Sequence, residues 1–476
     1  MHVARYAISL FKARTLDHLE GRYMSPTTTS TSRGDALAAL AEYPLTGLEK
    51  SLPAAAAGLT VAEFLATRPR LSAFRTPLLV LDDGALEHNL ARMATWCAER
   101  GVDLAPHGKT TMAPALWERQ LRAGAWGITV ANSAQLRVAI RFGVPRVQLA
   151  NALVDPAALA ELADALGADP ELQVHSWADS VDTVAAMNSA LHSALNSALG
   201  PVHPVRPLTV LVEVGAPGGR TGARDRPTAR AVAAAVSASP YLVLGGVCGY
   251  EGALAHDRTP AGLDAVRRYL RELGELHLAL RAAGAYPAGE AVVTAGGSAY
   301  FDEVTDVLAP LAGPDTRVLL RSGAYLIHDD GFYRGISPLA PANNAGATGG
   351  TALHSAMHAW ARVVSRPEPG LALLDAGKRD VPYDEGLPEP QLAADQLGAP
   401  AHPITGEISA VNDQHAFLRL DPATPLRVGQ VVRLGLSHPC TAFDKWQWVP
   451  VLGGGPDGSG DPDPDPVVVD LLRTFF

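Results

Sequence analysis

Cysteine is scarce in this chain. Three residues of 476, Cys97, Cys248 and Cys440, are too few and too scattered for a disulfide framework. The reducing cytosol is therefore the expected compartment, and any special cysteine is expected to be a ligand or a nucleophile. Long apolar runs are missing as well: no stretch of about 18 uncharged apolar residues exists to cross a bilayer, which sets a membrane partner aside. Positive charge is in deficit, with 39 Lys and Arg against 49 Asp and Glu and a net charge of -10. Nucleic-acid binding normally shows as a basic patch or a high pI, so no nucleic-acid partner is expected and small molecules are the expected ligands. The first residues, "MHVARYAISLFKARTLDHLEGRY", hold a short apolar patch without a small-residue cleavage site, and do not read as a secretory signal.

What is present is a soluble globular composition, 47% hydrophobic and 18% charged, in a chain longer than one average domain. Met24 followed by "SPTTTSTSRGD" reads as an alternative start with a polar tail, so residues 1–35 are an extension outside the fold, and 36–75 a helical lead-in. From residue 76 short β-rich runs alternate with Ala/Leu-rich helical patterns, the signature of βα units around a parallel sheet. The runs are "TPLLVLD" (76–82), "VDLAPH" (102–107), "WGITVAN" (126–132), "RVQLAN" (146–151), "ELQVHSW" (171–177), "LTVLVEVG" (208–215), "LVLGGVCGY" (242–250), "AVVTAGG" (291–297) and "TRVLLRSG" (316–323). These nine are one more than a (β/α)8 barrel needs. Past the linker-like "PANNAGATGG" helical periodicity fades, and 341–476 reads as a separate β domain. The expected architecture is an α/β TIM-type barrel over 76–340 plus that domain, with the first strand joining the domain. "NSALHSALNSALG" (188–200) reads as a lengthened helix and "GGGPDGSGDPDPDP" (453–466) as a flexible insertion before a last strand, "VVVDLLRTF".

In such barrels chemistry sits where strands end. Lys109, in "LAPHGKTTMAP", falls just past the end of the first barrel strand. A loop lysine is ordinarily solvated, but one partly desolvated in a barrel mouth would have the lowered amine pKa that Schiff-base chemistry needs. "TAGGSAY" (294–300) is either a plain tight turn or a phosphate cup built from backbone N–H groups. Barrel phosphate sites favour the last two strands, so lysine and cup together suggest pyridoxal phosphate. In "LSHPCTAFDKW" (436–446), His438 and Cys440 would face one side of an extended segment and could grip one metal ion. Two ligands fall short of the three or four that zinc usually takes, so water, substrate or other side chains would complete it. The alternative is a buried cysteine beside an unrelated histidine.

Taken together, "TPLLVLD", "PHGKTTMAP", "GITVAN", "VGAPGGRTG", "GYEG", "TAGGS", "RSGAY" and "SHPCTAFDKW" resemble the D-serine dehydratase and D-threonine aldolase family, fold-type III pyridoxal-phosphate enzymes with an alanine-racemase-like barrel. The similarity runs over roughly residues 70 to 450 in order. The resemblance implies that Lys109 is the Schiff-base lysine and that His438 and Cys440 are the metal pair. It implies a phosphate loop of Gly296, Gly297 and Ser298 with Tyr325 near the same end, and Arg220 and Tyr250 lining the cofactor ring. His415 resembles a histidine near the metal segment in relatives, or is a half-buried strand residue. Asp375 and Asp444 could orient ligands, or serve as turn and cap residues. Relatives look like head-to-tail dimers, so a cytoplasmic homodimer is expected.

Within the family, aldolases resemble one another in His-x-Asp at the metal position and dehydratases in His-x-Cys. Thiolate with imidazole suits zinc, whereas a carboxylate admits harder ions. Zinc on a substrate hydroxyl makes it a better leaving group. The expected activity is therefore a zinc-dependent dehydration and deamination of a D-3-hydroxy amino acid, with Lys109 taking the α-proton and the pyridoxal ring taking up the charge. D-serine going to pyruvate and ammonia is the simplest case. A metal-dependent aldolase is the nearer alternative, a non-catalytic pyridoxal-phosphate carrier the more distant one, and a racemase leaves the metal pair without a role.

Overall fold

The computed structural model describes residues 33–195, 206–287, 289–340, 351–454 and 463–476. Nearly all of the extension, the "PANNAGATGG" linker, the end of the lengthened helix and much of the acidic insertion lie outside the described residues. Among the described residues no helix is long and apolar enough to cross a membrane.

Nine strands alternate with helices in the first two thirds of the chain: β1 (Leu78–Asp82), β2 (Asp103–Leu104), β3 (Ile128–Val130), β4 (Arg146–Leu149), β5 (Gln173–Ala178), β6 (Leu208–Val214), β7 (Leu242–Gly249), β8 (Ala291–Ala295) and β9 (Thr316–Leu320). Strands β2 to β9 form one parallel eight-stranded sheet in the order β2-β9-β8-β7-β6-β5-β4-β3. A single parallel bridge, His107 to Thr129, joins its two ends. That bridge is the last barrel contact before Lys109, so closure of the barrel sets where the lysine emerges.

Side chains of these strands alternate between two environments, as the period-two geometry requires. Val210 and Val212 pack outward into the helix layer, while Leu211 points inward with Trp126, Trp177, Cys248, Val292 and Leu319. The barrel is thus plugged below its mouth. Several βα connections end in side chains that accept the first free helical N–H groups, among them Asn132, Asp155, Asp225 and Thr259. Proline follows directly after Asp155 and Thr259, where a missing N–H costs nothing.

β1 leaves the barrel. It lies in a ten-stranded sheet with β10 (Met357–Glu368), β11 (Leu371–Leu374), β12 (Glu389–Ala394), β13 (His402–Pro403), β14 (Glu407–Val411), β15 (Ala416–Arg419), β16 (Val431–Gly435), β17 (Trp448–Leu452) and β18 (Val468–Arg473). β1 pairs antiparallel with β10 and parallel with β17. Leu79 and Leu81 on one side of β1 join the main core, and Leu78 and Val80 on the other pack with Phe64, Leu71 and Phe74 of the lead-in. The lead-in therefore covers one face of this sheet, and the main core continues across the other toward the barrel.

Candidate active site

Lys109 sits in the single turn Gly108–Thr110 directly after β2. The turn is packed too tightly for any residue but glycine at 108: an added Cβ would lie 2.7 Å from Ile128 Cγ2 and 2.8 Å from the Trp117 indole. The same indole donates to the Gly108 carbonyl at 3.1 Å. Clamped in this way, Lys109 projects half-buried into a cavity of about 330 Å³, inside the range of roughly 300–1,000 Å³ typical of small-molecule sites. Burial pulls its ammonium below the ordinary lysine value. The thiolate form of Cys440 opposes this, and the Arg220 and Arg321 guanidiniums reinforce it.

At one end of the cavity lies the Gly-Gly-Ser turn, and here the structure corrects the sequence. The N–H groups of Gly296 and Gly297 do not face the cavity as free donors. They are taken by the fully buried Glu251 carboxylate, at 2.9 and 2.6 Å. Gly296, at a φ of 105°, allows the chain to wrap around that carboxylate. The groups left for an anion are the Ser298 side chain, which accepts from Ala324 N–H at 3.1 Å, and the Tyr333 hydroxyl bonded to it, beside Gly323 and Ala324. Burial pushes the Tyr333 phenol up, so it stays a protonated donor.

Tyr325 is a second correction. Its hydroxyl turns into the layer between barrel and helices, where it accepts from Gln120 at 3.2 Å, and it does not line the cavity. The aromatic hydroxyl at this end belongs instead to Tyr333.

The walls are cationic. Arg220 lies over the Tyr250 ring at 4.6 Å. Arg321 is buried, donates to Thr294 Oγ1 at 2.7 Å and to the Gly249 carbonyl at 2.5 Å, and stacks 4.9 Å from the Trp177 ring. Two buried polar atoms of cavity-lining residues, His107 Nδ1 and Trp177 Nε1, have no partner. Burial, with Lys109, Arg321 and Arg220 around it, holds the His107 imidazole well below its ordinary value, so the ring is neutral. Buried groups of this kind normally find partners. The donor set of one lysine, two arginines, two hydroxyls and unpaired ring nitrogens fits a planar, phosphorylated aldehyde.

His438 and Cys440 line the same cavity. They stand at the start of the helix Pro439–Phe443 rather than in an extended segment. His438 has left-handed backbone, φ 48°, and it is this bend that brings imidazole and thiol together. His438 Nδ1 is bonded to Asp384 at 2.5 Å, and Cys440 Sγ lies 3.7 Å from Thr110 Oγ1, one residue from the lysine. Burial pulls the imidazole down, but Cys440 and Asp384 outweigh it and push it up to about 9. Among the described residues no cluster of three or more His, Cys, Asp and Glu is disposed to hold a metal, so an ion here would have two protein ligands and open positions. With Nδ1 engaged by a carboxylate and the ring bonded to a thiol, the pair fits such a site.

Asp329 ties Tyr333 to His438. Its buried carboxylate accepts N–H bonds from Gly331 (3.0 Å) and Tyr333 (2.8 Å) on one oxygen and from His438 (2.9 Å) on the other, and burial pushes it up to about 6. The other sequence candidates stand elsewhere. Asp375 caps Arg362 N–H and Thr76, Asp444 pairs with Lys445, and His415 is an exposed hairpin residue. Of the residues that sequence reasoning passed over, Arg321 and Glu251 lay inside quoted motifs, "RSGAY" and "GYEG". Tyr333, Asp329 and Asp384 carried no local signal.

Comparison with known proteins bears on this geometry. A family model described as "Putative serine dehydratase domain" matches residues 356–452. A D-threonine aldolase from Arthrobacter sp. is 28% identical over 383 residues, covering 80% of this chain and 89% of that protein. Both similarities point to D-serine dehydratase- and D-threonine aldolase-like proteins. A solved D-threonine aldolase from Filomicrobium marinum superposes with a TM-score of 0.65 at 25% identity, covering 85% of this chain and 96% of that one. D-threo-3-hydroxyaspartate dehydratase from Delftia sp. HT23 shares the fold, with a TM-score of 0.64 at 22% identity over 86% and 99% of the two chains. The barrel with its β domain is the alanine-racemase type of fold. In this chain Lys109, Arg220, Tyr250, Gly296, Gly297, Ser298, His438 and Cys440 line one cavity.

Proposed function

We propose that this protein is a pyridoxal-phosphate-dependent lyase that removes the β-hydroxyl of a D-3-hydroxy amino acid, with zinc at His438 and Cys440. D-serine giving pyruvate and ammonia is the simplest case. The observation that carries the reading is that Lys109, the Ser298–Tyr333 hydroxyls and the His438–Cys440 pair line a single cavity. Lys109 would anchor the cofactor, Ser298 and Tyr333 its phosphate, and Arg220 with Tyr250 would flank the ring. The cofactor supplies an electron sink for the charge left at Cα. Lys109 Nζ, held toward its neutral form by burial and two arginines, accepts the α-proton. His438 and Cys440 would hold an ion that supplies Lewis-acid assistance to hydroxide departure. Asp329 keeps Tyr333 and His438 in register.

Cys440 supports dehydration over aldol cleavage, because the thiolate selects a softer ion than a carboxylate would. The aldolase reading draws on the 28% identity to a D-threonine aldolase. A bare cofactor carrier would leave the His438–Cys440 pair unused. Incubation with a panel of D-3-hydroxy amino acids, with ammonia and aldehyde detected in parallel, decides among them. Dehydration releases ammonia and a 2-oxo acid; glycine with an aldehyde would overturn the proposal in favour of the aldolase. A cytoplasmic homodimer accompanies the proposal and is tested by light scattering and fractionation.

A further inference from the structure

Asp384 has no part in the reaction as described above, yet both its oxygens are committed to the metal segment. Oδ2 meets His438 Nδ1 at 2.5 Å and Oδ1 accepts the Thr441 hydroxyl at 2.6 Å. The residue comes from an exposed loop between β11 and β12, 54 positions away in sequence. Its own side chain is 40% exposed, so it is not a core residue kept for packing. The backbone of His438 is held independently, through its N–H to Asp329. What Asp384 adds is control of the ring.

We propose that Asp384 is the positioning residue of the metal centre: by engaging His438 Nδ1 it fixes the tautomer and rotation of the imidazole, so that Nε2 is the ligating nitrogen. The inference rests on the metal reading of His438 and Cys440. An imidazole free of such a partner can present either nitrogen and can rotate about its side-chain torsions. A centre with three or four protein ligands restrains the ring through the ion itself, but one with two does so weakly, and an outer carboxylate then carries more of the ordering. Thr441, bonded to Asp384 at 2.6 Å and to the His438 carbonyl at 3.3 Å, reaches His438 Nδ1 itself only at 3.4 Å, against 2.5 Å for the carboxylate, so the ring's short partner is Asp384.

The test is zinc affinity of the full-length protein, stripped with chelator and titrated against a chromophoric competitor, for wild type, Asp384→Asn, Asp384→Glu, Thr441→Val and Asp444→Asn. Asp384→Asn should weaken zinc binding by about 10- to 100-fold, the usual effect of losing an outer-shell partner. Asp384→Glu should recover part of the loss. Thr441→Val and the neighbouring Asp444→Asn should stay within about threefold of wild type, far less than the outer-shell effect. Thermal midpoints and cofactor absorbance, followed in parallel, should be unchanged throughout. Wild-type zinc affinity in Asp384→Asn would overturn the proposal, and so would an equal loss in Thr441→Val, which would assign the effect to the helix start. If wild type itself takes up no zinc, the metal reading of His438 and Cys440 fails first, and this inference with it.

Discussion

Glu251→Gln is the sharpest probe of the phosphate end. The carboxylate is fully buried and accepts two backbone N–H bonds, 2.9 Å from Gly296 and 2.6 Å from Gly297. Hydrogen bonds to a charged acceptor are worth about 1.5–3 kcal/mol each net. Glutamine preserves the volume but offers one acceptor oxygen, so one N–H keeps a weaker partner and the other faces an amide NH2. The expected loss is about 2–4 kcal/mol of folding stability, read from urea denaturation of the apoprotein. The local consequence matters more. Gly296 holds a φ of 105° around that carboxylate, and Ser298, two residues on, shares bonds with Ala324 and Tyr333. A relaxed turn should weaken affinity for pyridoxal phosphate by about tenfold or more, since 1.4 kcal/mol suffices for a factor of ten. Affinity for pyridoxal, which lacks the phosphate, should hardly change. The variant therefore needs two titrations, one with each form of the cofactor. Equal losses for both, or none for either, would refute the claim that Glu251 shapes the phosphate cup.

Lys109→Ala should lose the visible cofactor band and borohydride trapping at that position; retention of both would move the anchor to another lysine. Tyr325→Phe, which removes a hydroxyl bonded to the buried Gln120 amide away from the cavity, should leave cofactor affinity at wild-type level while costing about 1–3 kcal/mol of stability, whereas Tyr333→Phe should raise the cofactor Kd. Chelation should abolish turnover of D-serine while sparing cofactor absorbance, and D-β-chloroalanine, whose leaving group needs no Lewis acid, should escape much of the loss; equal slowing of both substrates would give the metal a structural role. Burial holds His175 down to about 4, so the unfolded chain protonates this ring first as pH falls. Its contribution is complete above pH ~6.5 and is lost progressively toward pH 4, about 2 kcal/mol of it between pH 7 and 5. His175→Gln should flatten that acid limb in denaturation midpoints by a corresponding amount.

Much of this was legible because the signals are local. A parallel barrel strand is a short apolar run followed by a helical pattern, and both periods fit in a window of a dozen residues. The spare strand, β1, was recognisable by count alone. The lysine was legible because Gly108 and Lys109 must follow a strand end directly. The His-x-Cys spacing was legible too, although its geometry was not: the two side chains meet through a left-handed residue at a helix start, where an extended segment had been the natural expectation.

The sequence by itself determined the strand and helix alternation, the β domain past the linker, and the chemical character of the site, because those depend on residues adjacent along the chain. Only the tertiary structure decided which side chains complete the site. After β9 the chain turns Tyr325 back against Gln120, and further on Asp329 holds the N–H of Tyr333, which lines the cavity. Tyr250 and Glu251 are neighbours in sequence, yet one lines the cavity and the other is sealed beneath the glycine turn. Asp384 reaches His438 across 54 residues. The physical reason is common to all three: a strand's direction is encoded in its own residues, but where the backbone goes after the strand ends, and which distant loop packs against it, is settled by contacts between segments far apart in the chain.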